Sequence, residues 1–214
     1  MLMPHARVFV IDDDHSMRKS LRCLLASADY EIELFKSASE FLEREPHAGP
    51  SCLIVDVKMP GVNGMDLQKT LIERRRVEQL VFITGHGNIP MSVAAMKAGA
   101  VDFLPKPFKP KELLKCVESA LGRSVEQRRR TAQRNHARSL LDSLTPREFE
   151  VMQLLITGML NKQVGAELGM SEKTVKCHRG RLMQKLGIAS VAELIRLVEK
   201  AEVPPLGKSQ TKVS

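Results

Sequence analysis

The sequence predicts a doubly wound α/β domain with a parallel sheet, followed by a small all-helical domain. Over the first 121 residues, five strand-like apolar runs alternate with amphipathic helical stretches. Two of the runs are continuously apolar, which is typical of strands covered by helices on both faces of a parallel sheet. Beyond Thr145 only helical patterns occur. Alternating strands and helices favour right-handed β-α-β units, so an open five-stranded sheet is expected.

The predicted strands are short and rich in β-branched and aromatic residues. A helical pattern follows each strand, and Ser37 with Glu40 predicts a capping box at the start of one of these helices. The runs at 52–56 and 80–84 are the two continuously apolar ones. In chain order the predicted strands are 7–11, 31–35, 52–56, 80–84 and 102–104.

Four helices are predicted in the second domain. The motif TPRE at 145–148 combines a threonine N-cap, a proline in the first turn and a capping-box glutamate. A short helix is predicted at 161–168, and Ser171 is predicted to cap a third helix that ends at Gly187. The motif SVAE at 190–193 is a further capping box and predicts the start of the fourth helix.

The segment between the two domains is polar and charged. Residues 122–143 are expected to form a linker or a solvated extension of the preceding helix, with Arg128–Arg130 on a solvated face. The predicted boundaries are therefore a first domain at 1–121, this segment, a second domain at 144–200 and a flexible tail at 201–214.

The basic excess of the chain lies in its second part. Residues 1–121 contain 16 Lys and Arg against 16 Asp and Glu, whereas residues 122–214 contain 17 against 9, which accounts for the whole net charge of +8. A segregated basic region indicates a polyanionic partner, most commonly nucleic acid.

Other features of the composition suit a cytoplasmic protein. The four cysteines form no CxxC pair, so reduced thiols are expected rather than disulfides or a zinc site. The first residues, MLMPH, lack the apolar region of a signal peptide, and no apolar run approaches the length of a membrane span.

Polar side chains of the first domain fall where the predicted strands end. Asp12 and Asp13 follow the first strand, Asp56 ends the third, Thr84 ends the fourth, and Lys106 follows the fifth. In open α/β sheets, ligands bind beyond the carboxyl ends of the strands. The sequence therefore directs three carboxylates, a hydroxyl and an ammonium group to one edge.

These side-chain types fit a phosphoryl-transfer site. Clustered carboxylates bind a hard divalent cation such as Mg²⁺, which cancels their mutual repulsion. A carboxylate can then attack phosphorus while the cation and a lysine neutralise charge on the transferring oxygens. A threonine hydroxyl can donate to a phosphate oxygen. The acidic run at 12–14 is therefore expected to bind a metal ion, and the metal ion in turn to bind a phosphoryl group.

The first domain resembles the receiver domain of bacterial two-component response regulators. The matching stretches are VIDDDHSMRKSL, LIVDVKMPGVNGMDL, VFITGHG and MKAGAVDFLPKPF, and the resemblance covers essentially all of residues 6–121. The resemblance implies a CheY-like (flavodoxin-like) fold with strand order 2-1-3-4-5. It also implies a cis peptide bond between Lys106 and Pro107, and a sensor histidine kinase as partner.

The same resemblance assigns roles to individual residues. Asp56 would be the phosphoacceptor, and Mg²⁺ would bind Asp12, Asp13, Asp56 and the backbone carbonyl of Lys58. The switch and phosphate-pairing residues would be Thr84, Phe103 and Lys106. The domain would catalyse only its own phosphoryl transfer and dephosphorylation, so the chain is not expected to be an enzyme with a separate substrate.

Two other functions remain possible at this point. The run VFVIDDDHS loosely fits the DxDx(T/V) motif of haloacid-dehalogenase-type phosphatases, with Asp12 as nucleophile and Asp14 as acid, but Ser16 stands where Thr or Val is expected. No later acidic pair or cap insertion completes such a site. The chain could also be a phosphorylation-independent regulator, against which the intact set of acidic, threonine and lysine residues argues.

The second domain resembles the helix-turn-helix domain of LuxR/NarL/FixJ-type regulators. The likeness covers about 144–199 and depends on TPRE, NKQV, LGMSEKTVK and KLG. The receiver motifs are most similar to the FixJ subgroup. The resemblance implies sequence-specific binding to double-stranded DNA, transcription regulation with RNA polymerase as a partner, and a homodimer that forms on phosphorylation.

The residues of the third helix agree with a DNA-recognition role. Val175, Leu182 and Leu186 share one face at about 100° per residue. The opposite face is small and cationic, which suits the major groove. Gly180 would allow close approach to DNA or close packing of helices. The residues predicted to contact DNA are Lys162, Lys173, Thr174, Lys176, Cys177, His178, Arg179, Gly180, Arg181 and Lys185.

Overall fold

A computed structural model of the chain describes residues 6–85 and 89–203. The chain divides into two compact units, residues 1–128 and 129–214. The predicted flexible tail falls, from residue 204 onward, outside the described residues.

A five-stranded parallel sheet forms the centre of the first unit. Its strand order is β2-β1-β3-β4-β5, and every neighbouring pair is parallel. The predicted fold class and strand order are therefore confirmed. The strands are β1 (Arg7–Ile11), β2 (Glu31–Phe35), β3 (Ser51–Asp56), β4 (Gln79–Thr84) and β5 (Asp102–Pro105).

Five helices belong wholly or partly to this unit. They are α1 (His15–Ala26), α2 (Ala38–Glu43), α3 (Gly64–Glu73), α4 (Ile89–Lys97) and α5 (Pro110–Asp142). At the start of α2 the Ser37 side chain accepts the backbone N–H of Glu40, as expected of an N-cap. The carboxylate of Glu40 accepts from the N–H of Lys36 rather than from that of Ser37, so the predicted capping box is displaced by one residue.

Each face of the sheet is covered by its own apolar cluster. Val10, Ile54 and Ile83 point to one face and pack with α1 and α5. Phe9 and Phe82 point to the other and pack with α2 and α3. Side chains of a strand alternate between faces, so a central strand with both faces buried must be apolar throughout. This is why β3 and β4 have uninterrupted apolar runs in the sequence.

Helix α5 extends far beyond the last predicted helix of the first domain and includes residues 122–142. Arg129 and Arg130 are exposed, as expected of a solvated face, whereas Arg128 is only partly exposed and departs from that expectation. Its guanidinium donates to the backbone carbonyls of His47 and Ala48, each at 2.7 Å. One turn earlier, the buried hydroxyl of Ser124 accepts the backbone N–H of Ser51 at 3.0 Å. The start of the polar segment is thus hydrogen-bonded to the first unit.

The second unit contains the four predicted helices: α6 (Pro146–Leu155), α7 (Asn161–Leu168), α8 (Glu172–Leu186) and α9 (Val191–Ala201). The Thr145 capping box is complete, because Thr145 and Glu148 each accept the other's backbone N–H. Ser171 caps α8, and Gly187 ends it in the left-handed conformation. Ser190 caps α9.

The core of the second unit is formed by all four helices together with the end of α5. Ala137 and Leu141 from α5 pack with Val151 and Met152 of α6 and with Leu194 of α9. From α8, the buried residues are Val175, Leu182 and Leu186, which confirms the predicted inward face.

No helix of the described part of the chain is both long and apolar enough to cross a membrane. All four cysteines are free, as the sequence predicted.

Leu160 occupies the N-cap position of α7, where its side chain cannot accept a hydrogen bond, and it is 70% exposed. Serine, threonine, asparagine or aspartate at an N-cap typically stabilises a helix by about 1 kcal/mol. We therefore expect Leu160→Ser to raise the free energy of unfolding of the second unit by about 1 kcal/mol, measured by urea denaturation. The control is Leu160→Ala, which removes the same exposed apolar side chain without supplying a hydrogen-bond acceptor. If Leu160→Ser were no more stable than the wild type, the lack of a side-chain acceptor at the N-cap of α7 would not lower stability.

Candidate functional site

Three carboxylates meet at the carboxyl edge of the sheet. Asp12 and Asp13 follow β1, and Asp56 is the last residue of the neighbouring strand β3. One carboxylate oxygen from each lies within 4.8 Å of the others. Asp12 and Asp56 are buried, whereas Asp13 is exposed, so the cluster opens to solvent on one side. The sequence prediction that these three residues lie together agrees with this geometry.

Lys106 places its ammonium group beside two of the carboxylates. Its Nζ lies 2.9 Å from Oδ2 of Asp12 and 3.3 Å from Oδ2 of Asp56. Burial by itself would lower the pKa of Lys106, but the hydrogen bonds and charges of Asp12 and Asp56 raise it overall. The lysine therefore stays protonated and supplies a fixed positive charge. The peptide bond between Lys106 and Pro107 is cis, as the resemblance implied.

The charge of the Asp56 carboxyl is only partly compensated by its neighbours. Burial raises the pKa of its carboxyl, Lys106 acts in the opposite direction, and the charge of Asp12 raises the pKa further. Its Oδ1 atom is buried and has no hydrogen-bond partner among the described residues. A buried carboxylate oxygen without a partner is costly. A cation bound among the three carboxylates would satisfy this oxygen and offset their repulsion.

The other receiver residues lie on the adjoining elements. Thr84 is buried at the end of β4, directly after Ile83, which pairs with Asp56 in the sheet register. The carbonyl of Thr84 accepts the backbone N–H of Lys106 at 2.7 Å, which fixes the loop that carries the lysine. Phe103 is partly buried, and its ring centroid lies 6.2 Å from that of Phe82.

Lys58 and Asp14 lie next to the cluster. Lys58 is exposed two residues after Asp56, and its backbone hydrogen bond helps to oppose the raised pKa of that carboxyl. Asp14 is the N-cap of α1, where its Oδ1 accepts the N–H groups of Ser16 and Met17. This side chain is thus occupied as a helix cap, which disfavours the role of acid that the phosphatase alternative gives it.

Sequence reasoning missed two residues that shape the site. Arg18 of α1 donates from Nη1 to the backbone carbonyl of Asp12 at 2.6 Å and so holds the loop after β1. Gly64 starts α3 against the end of β3, where a Cβ atom would stand 2.6 Å from the carbonyl oxygen of Asp56. A glycine shortly after a strand end indicates that two backbone segments approach closely there, so Gly64 could have been found from the sequence. No pattern in the sequence indicates that Arg18 binds the carbonyl of Asp12.

In the second unit, α7 and α8 form a helix-turn-helix, with Gly169 in the left-handed conformation at the end of α7. The outer surface of α8 is polar and basic. The predicted DNA contacts that are exposed on it are Lys173, Thr174, Lys176, Cys177, Gly180, Arg181 and Lys185. Apart from the neighbouring backbone of α8 itself, no atom of the described residues comes within 4 Å of the Cβ that an alanine would place at Gly180, so helix packing does not require this glycine.

The remaining predicted DNA contacts differ in their surroundings. Lys162 is exposed on α7, and His178 is partly buried on α8. Arg179 donates from Nη1 to Oδ1 of Asn161 at 3.4 Å, which links α8 to the start of α7. Lys185 forms an ion pair with the buried Glu148 of α6, with Nζ 2.6 Å from Oε2.

Both units match known families. Residues 8–118 match the response regulator receiver domain, and residues 142–198 match the bacterial regulatory proteins of the luxR family. Together these matches cover most of the chain. The protein therefore belongs to the two-component response regulators that join a receiver domain to a LuxR-type DNA-binding domain, as the sequence motifs predicted.

Relatives of similar length support this membership. Nodulation protein W of Bradyrhizobium diazoefficiens is 48% identical over 210 residues, which is 97% of this chain and 92% of that protein. The transcriptional regulatory protein FixJ of Azorhizobium caulinodans is 39% identical over 92% of this chain and 94% of its own.

Solved structures show the same fold. A structure of the response regulator StyR matches with a TM-score of 0.80 at 48% identity, covering 92% of this chain and 99% of that chain. Full-length FixJ from B. japonicum matches with a TM-score of 0.54 at 37% identity, covering 92% of this chain and 97% of that chain.

Proposed function

We propose that Asp56 is phosphorylated by a sensor histidine kinase and that this phosphorylation controls binding of the α8 surface to double-stranded DNA. The observation that carries the proposal is the cluster in which Asp12, Asp13 and Asp56 face one another beside the ammonium group of Lys106. This combination of acceptor carboxylate, metal-binding carboxylates and fixed cation is what phosphoryl transfer to a side chain requires.

In this mechanism a carboxylate oxygen of Asp56 attacks the phosphorus, the bond to the kinase histidine breaks, and an acyl phosphate forms. Asp12, Asp13, Asp56 and the backbone carbonyl of Lys58 would hold Mg²⁺, whose charge would neutralise the phosphoryl oxygens when it is bound. Lys106 would pair with a phosphoryl oxygen, and the hydroxyl of Thr84 would donate to another. The chain then acts on no substrate other than its own acyl phosphate.

The phosphoryl group would be sensed by Thr84 and Phe103, and through them by the surface formed by α4, β5 and α5. Three exposed apolar residues of α4 lie at helical spacing on this surface: Ile89, Val93 and Met96. Such a stripe supports the proposal that two phosphorylated chains dimerise through it. A dimer would place two α8 helices on half-sites about one helical turn of DNA apart, where RNA polymerase would be the partner in transcription.

The phosphorylation proposal is tested by incubating the protein with Mg²⁺ and acetyl phosphate and measuring its intact mass. We expect a stable adduct of about 80 Da, one phosphoryl group, that depends on Mg²⁺ and maps to Asp56. A phosphatase that used Asp12 as nucleophile would turn over the donor and place any trapped phosphate on Asp12. A phosphorylation-independent regulator would show no adduct. Either of these two results would contradict the proposal.

The DNA-binding part of the proposal predicts a loss on Lys176→Ala. Lys176 is exposed on the basic surface of α8, and alanine is a good helix former, so the fold should be unaffected. We expect DNA affinity to fall by roughly tenfold, with and without phosphodonor, because one cationic contact is removed in both states. Fluorescence anisotropy with labelled duplex DNA measures this change.

The matched control for Lys176→Ala is Lys200→Ala, which removes the same charge from an exposed position on α9. We expect it to change DNA affinity much less. Equal losses in the two variants would mean that overall charge, rather than the α8 surface, determines binding.

A further inference from the structure

Lys185 differs from the other lysines of α8 because its ammonium group pairs with a buried carboxylate, although the lysine side chain itself is 40% exposed. Its Nζ lies 2.6 Å from Oε2 of Glu148, whose side chain is only 4% exposed. The same oxygen accepts the backbone N–H of Thr145 at 2.9 Å. One buried carboxylate thus joins the first turn of α6 to the last turn of α8.

The energetics of this arrangement favour a closed ion pair. The hydrogen bond from Lys185 is the largest cause that lowers the pKa of Glu148, to about 2, and the Thr145 N–H adds to it. Removing Lys185 from this position, for example to reach a DNA phosphate, would leave the buried carboxylate, among the described residues, with hydrogen bonds from Thr145 alone. Uncompensated buried charges are among the most destabilising features of proteins.

We infer that Lys185 is a positioning residue, which pairs with Glu148 to fix the recognition helix α8 on α6, rather than a contact to DNA phosphate. This inference rests on the proposed function of α8, and it replaces the sequence-based assignment of Lys185 as a DNA contact. The pair lies near the C-terminal end of α8, opposite the end whose cap is Ser171. It would set the angle at which the basic surface meets the groove.

The two roles predict different effects on sequence discrimination. A phosphate contact contributes about equally to every DNA sequence, and its loss lowers the salt dependence of log K by about 0.9 per contact. A positioning residue affects base contacts, which need accurate placement, so its loss reduces preference for the specific site. Loss of even one base contact lowers specific affinity by roughly tenfold.

The experiment uses the full chain and two probes: a duplex selected from a random-sequence pool by the wild-type protein, and a random duplex of the same length. For Lys185→Met we expect affinity for the selected duplex to fall by roughly tenfold or more, affinity for the random duplex to change little, and the salt slope to stay unchanged. Lys185→Arg, which can keep the ion pair, should restore the preference. A parallel loss on both duplexes with a reduced slope, or no loss on either, would overturn the inference.

Glu148→Gln is a second test variant, for which the two roles of Lys185 predict opposite changes in DNA affinity. The glutamine keeps an acceptor for the Thr145 N–H. If Lys185 positions α8, this change should weaken binding to the selected duplex. If Lys185 binds phosphate, the change should strengthen binding to both duplexes, because a competing negative charge is removed. This outcome would overturn the inference even if Lys185→Met failed to fold.

Failure of the inference is distinguishable from failure of the proposed function. A wild-type protein that selects no duplex contradicts DNA binding and the inference with it. A wild-type protein that selects a duplex, with variants that retain its discrimination, contradicts the inference alone.

Discussion

Asp56→Asn should abolish the response of the protein to phosphodonor while leaving its fold intact. Asparagine has nearly the same shape and cannot form an acyl phosphate. Burial already raises the pKa of the Asp56 carboxyl, so a neutral residue at this position removes an unfavourable buried charge. Lys106 keeps its partner Asp12. We expect no adduct of about 80 Da by intact mass, and no donor-dependent change in DNA affinity.

The matched control is Asp66→Asn, which changes an exposed aspartate on α3 of the same unit, outside the carboxylate cluster. This variant should form the adduct and respond to donor as the wild type does. A normal response of Asp56→Asn to acetyl phosphate would mean that another residue accepts the phosphoryl group.

Gly165→Ala should disrupt the helix-turn-helix. The residue lies on α7, where an added Cβ would stand 2.6 Å from the carbonyl oxygen of Met170, in the turn that leads to α8. The N–H of Met170 donates to the carbonyl of Gly165 at 2.8 Å, so the two backbone segments cannot separate without losing this bond. Alanine would normally stabilise a helix by about 1 kcal/mol relative to glycine. We nevertheless expect the free energy of unfolding to fall by roughly 2 kcal/mol, because the steric clash of the added Cβ with the Met170 carbonyl typically costs more than the gain in helix propensity.

Thermal and urea denaturation would measure the loss in the second unit, and DNA affinity should fall with it because the turn sets the relation of α7 to α8. Gly180→Ala is the internal control, since the space around Gly180 is open. It should raise stability by about 1 kcal/mol. A variant at Gly165 that gained stability as Gly180→Ala does would show that the turn accommodates the extra methyl group.

The strands and the acidic cluster could be predicted because each depends on a local pattern. Strands buried on both faces must be apolar throughout, so β3 and β4 are visible as uninterrupted runs. The carboxyl ends of parallel strands meet at one edge, so Asp12, Asp56 and Lys106 could be placed together without coordinates. The caps at Thr145 and Ser171 were equally visible because a capping box lies within four residues.

The partners of long charged side chains could not be predicted in this way. Arg128 hydrogen-bonds to carbonyls about eighty residues earlier in the chain, and Lys185 pairs with a glutamate 37 residues away. Whether such a side chain points to solvent or to a distant acceptor depends on how the elements pack, which no local pattern records. Lys185 therefore had the same sequence features as the other lysines of α8, which have no such buried partner in the described structure.

Coupling between phosphorylation of Asp56 and DNA binding by α8 is measured most directly by titrating the wild-type protein into a selected duplex. The titration is done with Mg²⁺ alone and with Mg²⁺ and acetyl phosphate. Intact mass from the same samples gives the phosphorylated fraction. We expect the DNA affinity of the fully phosphorylated protein to be at least about tenfold higher than that of the unmodified protein, because a shift of a few kcal/mol in the conformational equilibrium is enough for such a change. At partial phosphorylation, the bound DNA should increase with the phosphorylated fraction. Equal affinity of fully phosphorylated and unmodified protein would contradict control of DNA binding by Asp56.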